Sequence, residues 1–226
     1  MIENLPSWID ILFISICILT IGLFYFSNGK PKVLTLILIT WCIIQAILAY
    51  SGFYQNTQTT PPRFALVLIP STILIIYGLL PKQQKWVFNN RDSKISTFLH
   101  AIRLPVEIVL HGLFTHKMVP ELMTFEGRNF DIIMGITAPI VGWLFLKNKM
   151  SKQALIAWNV VGLFLILFIL FNGLLSAELP FQKFGFEQPN RAVSYFPFIL
   201  LPATIVPIVV WTHITDIIKL RKEIAR

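Results

Sequence analysis

Charged residues are scarce in this 226-residue chain. Asp, Glu, Lys and Arg together make up only 13% of it, whereas a soluble globular domain carries about 25% charged residues. Hydrophobic residues make up 55% of the chain, which excludes intrinsic disorder because disorder requires low hydrophobicity and high net charge. The sequence therefore predicts a protein whose main solvent is lipid.

Cysteines and catalytic motifs are also sparse. The two cysteines, Cys17 and Cys42, each lie inside an apolar run, where a thiol behaves as a small hydrophobic group. No disulfide framework or zinc-knuckle spacing is present, and no GxSxG elbow, HExxH helix or phosphate-binding glycine loop occurs. The net charge of +8 does not indicate a nucleic-acid partner, because the basic residues lie in short clusters between apolar runs rather than on one face.

Seven segments are apolar enough to cross a membrane, which requires about 20 mostly apolar residues. The connections between them are short, so we expect a single all-α domain over residues 1–226 with no soluble domain. The fourth segment is more polar than the others. The predicted spans are 8–27, 33–54, 63–80, 97–118, 130–146, 153–175 and 192–217.

The distribution of Lys and Arg supports seven crossings with the N-terminus outside and the C-terminus in the cytoplasm. Basic residues collect in short cytoplasmic loops. This topology places 13 of the 19 basic residues inside and 5 outside, with Arg103 within a span. The inside set is Lys30, Lys32, Lys82, Lys85, Arg91, Lys94, Lys147, Lys149, Lys152, Lys219, Arg221, Lys222 and Arg226.

The last predicted span contains Pro197, Pro202 and Pro207. Each proline removes one backbone hydrogen bond and frees a carbonyl group one turn earlier. We therefore expect this span to be bent or locally unwound.

The fourth span carries a polar stripe formed by His100, Arg103, Glu107 and His111. At about 100° per residue, these four side chains fall within roughly 80° of one another around the helix. Charged groups at this depth face the interior of a bundle, where they are paired or hydrated. Arg103 and Glu107 are spaced i, i+4 and can pair on one helix.

Two interpretations of this stripe stay open. Arg103 and Glu107 form a buried ion pair that only fixes helix packing, or the stripe lines a site for a proton, a small ligand or a metal ion. Two histidines and a carboxylate on one face favour the second interpretation, because both groups carry protons and bind metals.

A metal site is a further hypothesis. His213 and Asp216 lie near the cytoplasmic end of the last span, and the topology places His213 at a depth similar to that of His100. His100, His213 and Asp216 with a water molecule would suit zinc, and two facing histidines would suit a haem iron. The alternative is that Asp216 only orients His213 at a hydrated helix end.

The segment before the fifth span is rich in charge and is a candidate outer vestibule, formed by Glu126, Arg128 and Asp131. Helix capping is the alternative explanation. Asn129 is an expected N-cap for the fifth span, and Asp131 in its first turn would interact with the helix dipole.

The stretch PELMTFEGRNFDIIMGITAPI and the later stretch FEQPNRAVSYFPFILLP resemble a group of small bacterial integral-membrane proteins that carry no assigned activity. This resemblance implies a bacterial inner-membrane protein. Seven spans also suggest microbial rhodopsins, but the last span has no internal lysine to link retinal. Ser96-x-x-x-His100 is similar to one motif of the alkaline-ceramidase-like zinc hydrolases, although it lies in the fourth span and the paired histidines of that family's last span are absent.

These observations lead to three hypotheses about function. In the first, the buried polar site handles a proton or small ligand in transport or sensing, with Glu107 as the protonatable group, Arg103 as its charge partner and His100 and His111 as relay groups. In the second, the chain is a metal- or haem-dependent membrane enzyme. In the third, it is a structural subunit of a membrane complex.

Overall fold

The computed structural model describes residues 2–226, apart from the side chains of residues 84–86, so the side chain of Lys85 lies outside the description. Throughout residues 2–226 the fold is all-α, with one isolated bridge between Ala177 and Asn190. The helices are α1 Ser7–Ser27, α2 Lys32–Tyr50, α3 Ala65–Leu79, α4 Pro81–Asn90, α5 Ser93–Leu99, α6 Arg103–Thr115, α7 Ile132–Leu146, α8 Lys152–Leu175 and α9 Val206–Ile224.

Every predicted apolar segment is helical over most of its length. Within the described residues, five helical segments are long and apolar enough to cross a membrane: α1, α2, α5 with α6, α8, and residues 201–224. Helices α3 and α4 meet at 66° and together make a sixth candidate, while α7 is a shorter apolar helix of 15 residues. The chain is therefore a helical bundle of the kind found in integral-membrane proteins.

Local sequence signals explain several helix ends. Helix α1 ends at Ser27, and Gly29, two residues later, has a φ of 73° that allows Lys30 N–H to donate to Tyr25 O at 2.8 Å, as in a Schellman cap. Gly52, with a φ of 79°, follows the end of α2. Asp92 caps α5 by accepting hydrogen bonds from the N–H groups of Lys94 and Ile95.

The predicted start of the last span is wrong. Residues 192–194 form a short 3₁₀ turn, and continuous helix begins only at Leu201, with a π-helical stretch over Leu201–Ile205 before α9. The prolines account for this difference, because Pro197 and Pro202 each lack an N–H group that a regular α-helix would use. The expected local unwinding is present, and the helix then continues to Ile224 rather than ending at residue 217.

The polar span is also irregular in its middle. A 3₁₀ turn over His100–Ile102 separates α5 from α6. Pro105 follows within one turn and cannot donate a hydrogen bond to the carbonyl of Ala101.

The loops gather into two groups at opposite ends of the bundle. At one end, Arg91 donates to the Asn28 side chain at 3.0 Å, and Lys152 pairs with Glu223 at 2.9 Å. At the other end, the N–H groups of residues 191 and 192 donate to Met118 O. Segment 120–131 belongs to this second end, but it folds inward, since Asn129 and Asp131 are buried.

Helices α6 and α7 approach closely at Gly135. A Cβ atom there would lie 2.5 Å from Leu104 N and 3.0 Å from Leu104 Cα, whereas a Cβ atom on Gly22 of α1 would meet nothing within 4 Å. We expect Gly135→Ala to lower the free energy of unfolding by about 1–3 kcal/mol, because backbone atoms cannot move aside as a side chain does. Gly22→Ala is the matched control and should leave stability unchanged or slightly higher. Thermal unfolding of both variants in detergent measures the difference, and equal midpoints would contradict this view of the α6–α7 contact.

Candidate functional site

Three members of the predicted polar stripe lie inside the bundle. His100, Arg103 and Glu107 are at most 3% exposed. His111 lies one turn beyond Glu107 near the end of α6, where its side chain is 35% exposed. The stripe therefore runs from the bundle core to its surface.

Arg103 does not pair with Glu107 as its i, i+4 spacing suggested, but with Asp131. Its Nε donates to Asp131 Oδ2 at 2.5 Å, and its Nη2 donates to the other carboxylate oxygen. This is the fork geometry that guanidinium and carboxylate groups favour. Segment 120–131 folds into the bundle and places Asp131 next to Arg103. Asp131 therefore takes the position of ion-pair partner that Glu107, on the same helix as Arg103, was expected to hold.

Asn129 and Glu107 form the second contact of this segment. Asn129 Nδ2 donates to Glu107 Oε1 and also to Met123 O at 3.1 Å, while its Oδ1 accepts the Asp131 N–H at 3.2 Å. The sequence suggested that Asn129 caps α7, but its side chain holds Glu107 instead. Glu107 Oε2 is buried and has no hydrogen-bond partner within the described structure.

His213 of α9 joins the network from the other side of Arg103. Arg103 Nη1 lies 3.1 Å from His213 Nε2, and His213 Nδ1 lies 2.8 Å from Asn159 Oδ1. Asn159 Nδ2 donates to Leu155 O, which fixes the amide so that its oxygen faces the histidine. Because that oxygen only accepts and the guanidinium only donates, His213 is neutral with its proton on Nδ1.

His100 and His213 come together, as their predicted depth suggested. Their ring centroids are 3.8 Å apart at an interplanar angle of 16°. The two nitrogens of His100 are buried without a hydrogen-bond partner among the described residues. Gly162 makes this packing possible, since a Cβ atom there would lie 2.4 Å from His213 Cε1.

The arrangement does not gather His100, His213 and Asp216 as metal ligands. Asp216 accepts hydrogen bonds from Arg91 Nε at 2.6 Å, Ser93 Oγ at 2.9 Å and Ser96 Oγ at 2.5 Å. The stacked imidazoles leave no space for an iron between them. Residues 2–226, as far as they are described, contain no group of three His, Cys, Asp or Glu side chains that could hold a metal ion.

Arg91 is the centre of a second buried cluster that sequence reasoning missed. It was counted as a charge of a cytoplasmic loop, yet its side chain is fully buried. Besides Asp216, it donates to Asn28 Oδ1 at 3.0 Å and to Thr212 O at 3.1 Å. Its position next to the N-cap Asp92 is the only sequence signal that distinguished it from the other loop cations.

The predicted outer vestibule is divided in the structure. Asp131 is buried with Arg103, whereas Glu126 and Arg128 are exposed. Glu126 Oε1 lies 3.4 Å from His111 Nε2, and Arg128 lines a separate open pocket. Asp131 is therefore part of the buried network and not of a surface vestibule, because its segment turns inward.

A surface ion pair at the same end provides a contrast to these buried groups. Arg191 donates to both carboxylate oxygens of Glu178, at 3.1 and 2.8 Å, on an exposed part of the surface. The hydrogen bonds to Glu178 raise the pKa of Arg191 above its ordinary value. Arg191 and Glu178 therefore form an exposed ion pair that can be compared with the buried pairs of Arg103 and Arg91.

A cavity lies beside Glu107, between α3, α6, α8 and the π-helical stretch. The space between its lining atoms is about 590 Å³ when the open solvent at its mouth is counted. Asn190, a further residue that the sequence did not single out, lines the same cavity, and its Oδ1 also lacks a hydrogen-bond donor in the described residues. Most of the remaining wall is apolar.

Comparison with known protein families matches residues 59–221 to a domain of unknown function, DUF8737. No curated protein and no solved structure gives a significant match. The matched region covers well over half of the chain and includes α3 to α8, most of α9 and, apart from Asn28, the polar groups of the two buried clusters described above. The chain therefore belongs to the DUF8737 family.

Proposed function

We propose that this protein is an integral protein of the bacterial inner membrane whose buried polar site handles a proton or a small ligand, in transport or in sensing. The observation that carries the proposal is Glu107 Oε2, a buried carboxyl oxygen without a partner among the described groups, on a residue that lines a cavity. A carboxyl group in this environment is costly to keep ionised unless a cation or donor joins it. Gain and loss of a proton, or of a ligand, is therefore the chemistry that this site favours.

The proposal includes seven crossings, with the N-terminus outside and the C-terminus in the cytoplasm. Two observations support it: the excess of basic residues in alternate loops and the gathering of those loops at one end of the bundle. Helix α7 is only about 22 Å long at 1.5 Å per residue, less than the roughly 30 Å of the hydrocarbon core. Segment 120–131 would complete this crossing, since irregular backbone is tolerated at membrane depth when it is buried in protein.

The network assigns a role to each candidate residue. Glu107 accepts and releases the proton at Oε2, while Asn129 holds Oε1. Arg103 and Asp131 form a charge-balanced pair beside it, and their field acts on both Glu107 and His213. His111, at the surface one turn away, would exchange protons with the exterior.

The inner part of the route would pass through the histidines. His213 is tied to Arg103 and Asn159, so its tautomer is fixed. His100 is not tied by hydrogen bonds to the described residues, and its ring stacks on His213. His100 is therefore the imidazole whose tautomer is not fixed by a hydrogen bond within the described structure.

Proton flux into proteoliposomes tests the transport form of the proposal. An internal pH-sensitive dye would report uptake driven by an imposed membrane potential. We expect Glu107→Gln to abolish the protein-dependent flux, because the amide has the same shape and cannot exchange a proton at that position. Glu178→Gln, which removes an exposed carboxylate of the outer surface, should keep wild-type flux. Equal flux through wild type and Glu107→Gln would remove Glu107 from the mechanism.

A further inference from the structure

We infer that the cavity beside Glu107 binds a lipophilic amine, with its ammonium group against Glu107 and Asn190 and its hydrocarbon chain along the apolar wall. The inference rests on the proposed function, because it assigns a ligand class to the same carboxyl group. It adds what that proposal leaves open: the chemistry of the molecule that the site recognises and the compartment from which it comes.

Two residues that line this cavity each carry a buried acceptor atom without a hydrogen-bond donor in the described part of the chain. These atoms are Glu107 Oε2 and Asn190 Oδ1. The orientation of the Asn190 amide is fixed, because its Nδ2 donates to Gly173 O at 3.1 Å. Both residues are 2% exposed. A ligand that satisfies both acceptors must bring at least two donors.

The charges of the neighbouring groups favour a cation over a neutral donor. Asp131 already uses the fork of Arg103 through both carboxylate oxygens. The remaining guanidinium contacts of Arg103 go to His213 and Gly162. Ionised Glu107 is therefore left with one amide donor and no cation of its own, and an ammonium group supplies both the charge and the donors that it lacks.

The rest of the cavity is suited to hydrocarbon. Apart from the groups named above, its wall consists of apolar side chains and Gly173. Leu68 of α3 and Leu170 and Leu174 of α8 are only partly buried. The outer faces of the same two helices are exposed and apolar. The apolar lining includes Phe64 just before α3, Leu110 of α6, Ile166 and Ile169 of α8, and Leu201.

This geometry indicates entry from the bilayer. Ile69 on α3 and Leu167 and Phe171 on α8 are 46–58% exposed, as expected of residues that contact lipid. A molecule with one polar group and a slender chain partitions into the same layer. The structure thus assigns the cavity to a single-chain amine that enters between α3 and α8.

Photo-crosslinking in nanodiscs tests this assignment with a defined probe. The purified full-length protein in zwitterionic lipid is irradiated with an octylamine that carries a diazirine on its chain, and adducts are mapped by mass spectrometry. We expect adducts on the lining residues of α8 and of Leu201–Ile205. Unlabelled octylamine should suppress them, octanol should do so only at concentrations at least about tenfold higher, and octanoate should not compete.

Two variants make the test specific to the acceptors. Glu107→Gln should weaken competition by octylamine roughly tenfold or more, because it replaces the charged acceptor with a neutral amide. Asn190→Ala should weaken it less, since it removes a neutral acceptor. Glu178→Gln is the control, and octylamine should compete with the probe in this variant as it does in wild type. The comparison of octylamine, octanol and octanoate uses wild type alone, so its result does not depend on whether a variant folds.

Several outcomes would overturn the inference. Adducts spread evenly over lipid-facing residues, equal competition by octanol and octylamine, or unchanged competition in a folded Glu107→Gln variant would each do so. Failure here is distinguishable from failure of the proposed function. Proton exchange at Glu107 without amine binding would leave the proposed function intact. Amine binding at Glu107 without proton exchange or flux would mean that the site binds an amine and does not handle a proton.

Discussion

Replacing Arg103 with methionine is expected to lower the free energy of unfolding by about 3–5 kcal/mol, because it leaves the Asp131 carboxylate buried without its partner. Asp131 is only 5% exposed and receives two hydrogen bonds from Arg103. Asp131→Leu should destabilise the protein similarly, since it leaves the guanidinium group unpaired. Titration with sodium dodecyl sulfate in mixed micelles, followed by tryptophan fluorescence, measures both effects.

The double variant separates the electrostatic cost from a general loss of packing. Arg103→Met with Asp131→Leu removes both charges together and should be within about 2 kcal/mol of wild type, because apolar groups of similar size can replace a buried ion pair. Arg191→Ala, which breaks the exposed pair with Glu178, should cost no more than about 1 kcal/mol. A double variant as unstable as both single variants combined would contradict this view of the pair.

The same double variant distinguishes the proposed function from a purely structural subunit. If Arg103 and Asp131 only fix helix packing, the stable double variant keeps its activity. If they set the field at Glu107 and His213, the double variant is folded but has lost proton exchange. The network geometry favours the second result, because Arg103 contacts His213 and Asp131 at the same time.

A second large effect is expected at Arg91. Its guanidinium group connects the segment between α4 and α5 to α9, through Asp216 and Thr212 O, and to the end of α1, through Asn28. Arg91→Ala leaves the Asp216 carboxylate buried with only the hydroxyl groups of Ser93 and Ser96. We therefore expect a loss of about 3–5 kcal/mol, seen as an earlier unfolding transition in the same detergent titration.

Two further substitutions control for charge and for shape at this position. Arg91→Lys should recover only part of the stability, since a single ammonium group cannot reproduce the planar fork that reaches all three acceptors. Lys82→Ala removes an exposed cation from the same predicted cytoplasmic segment as Arg91. It should change stability by less than about 0.5 kcal/mol. If Arg91→Ala were as stable as Lys82→Ala, the buried cluster would not contribute to the fold.

The helices of this protein could be predicted from the sequence because lipid imposes one strong rule. Every backbone polar group at membrane depth must be satisfied internally, so long apolar runs predict helices directly. The prediction was wrong where the chain departs from that rule. Residues 192–200 are apolar enough to resemble a span, but prolines prevent regular helix there, and the segment is buried by other parts of the protein.

The site was predictable only in part, for a similar reason. Helical periodicity predicted that His100, Arg103 and Glu107 share a face, and they do lie together in the interior. Their partners come from elsewhere in the chain: Asp131 lies 28 residues after Arg103 and His213 lies 110 residues after it. Periodicity within one helix carries no information about such contacts, so the sequence favoured the local Arg103–Glu107 pair instead.

Infrared difference spectroscopy of the purified protein in lipid can detect the protonation of Glu107 itself, whether the protein transports or senses. A stepwise change of pH should produce the carbonyl stretching band of a protonated carboxyl group in wild type and in Glu178→Gln. We expect the contribution of the buried Glu107 carboxyl group to this band to be absent in Glu107→Gln. A band of unchanged position and intensity in a folded Glu107→Gln variant would contradict it.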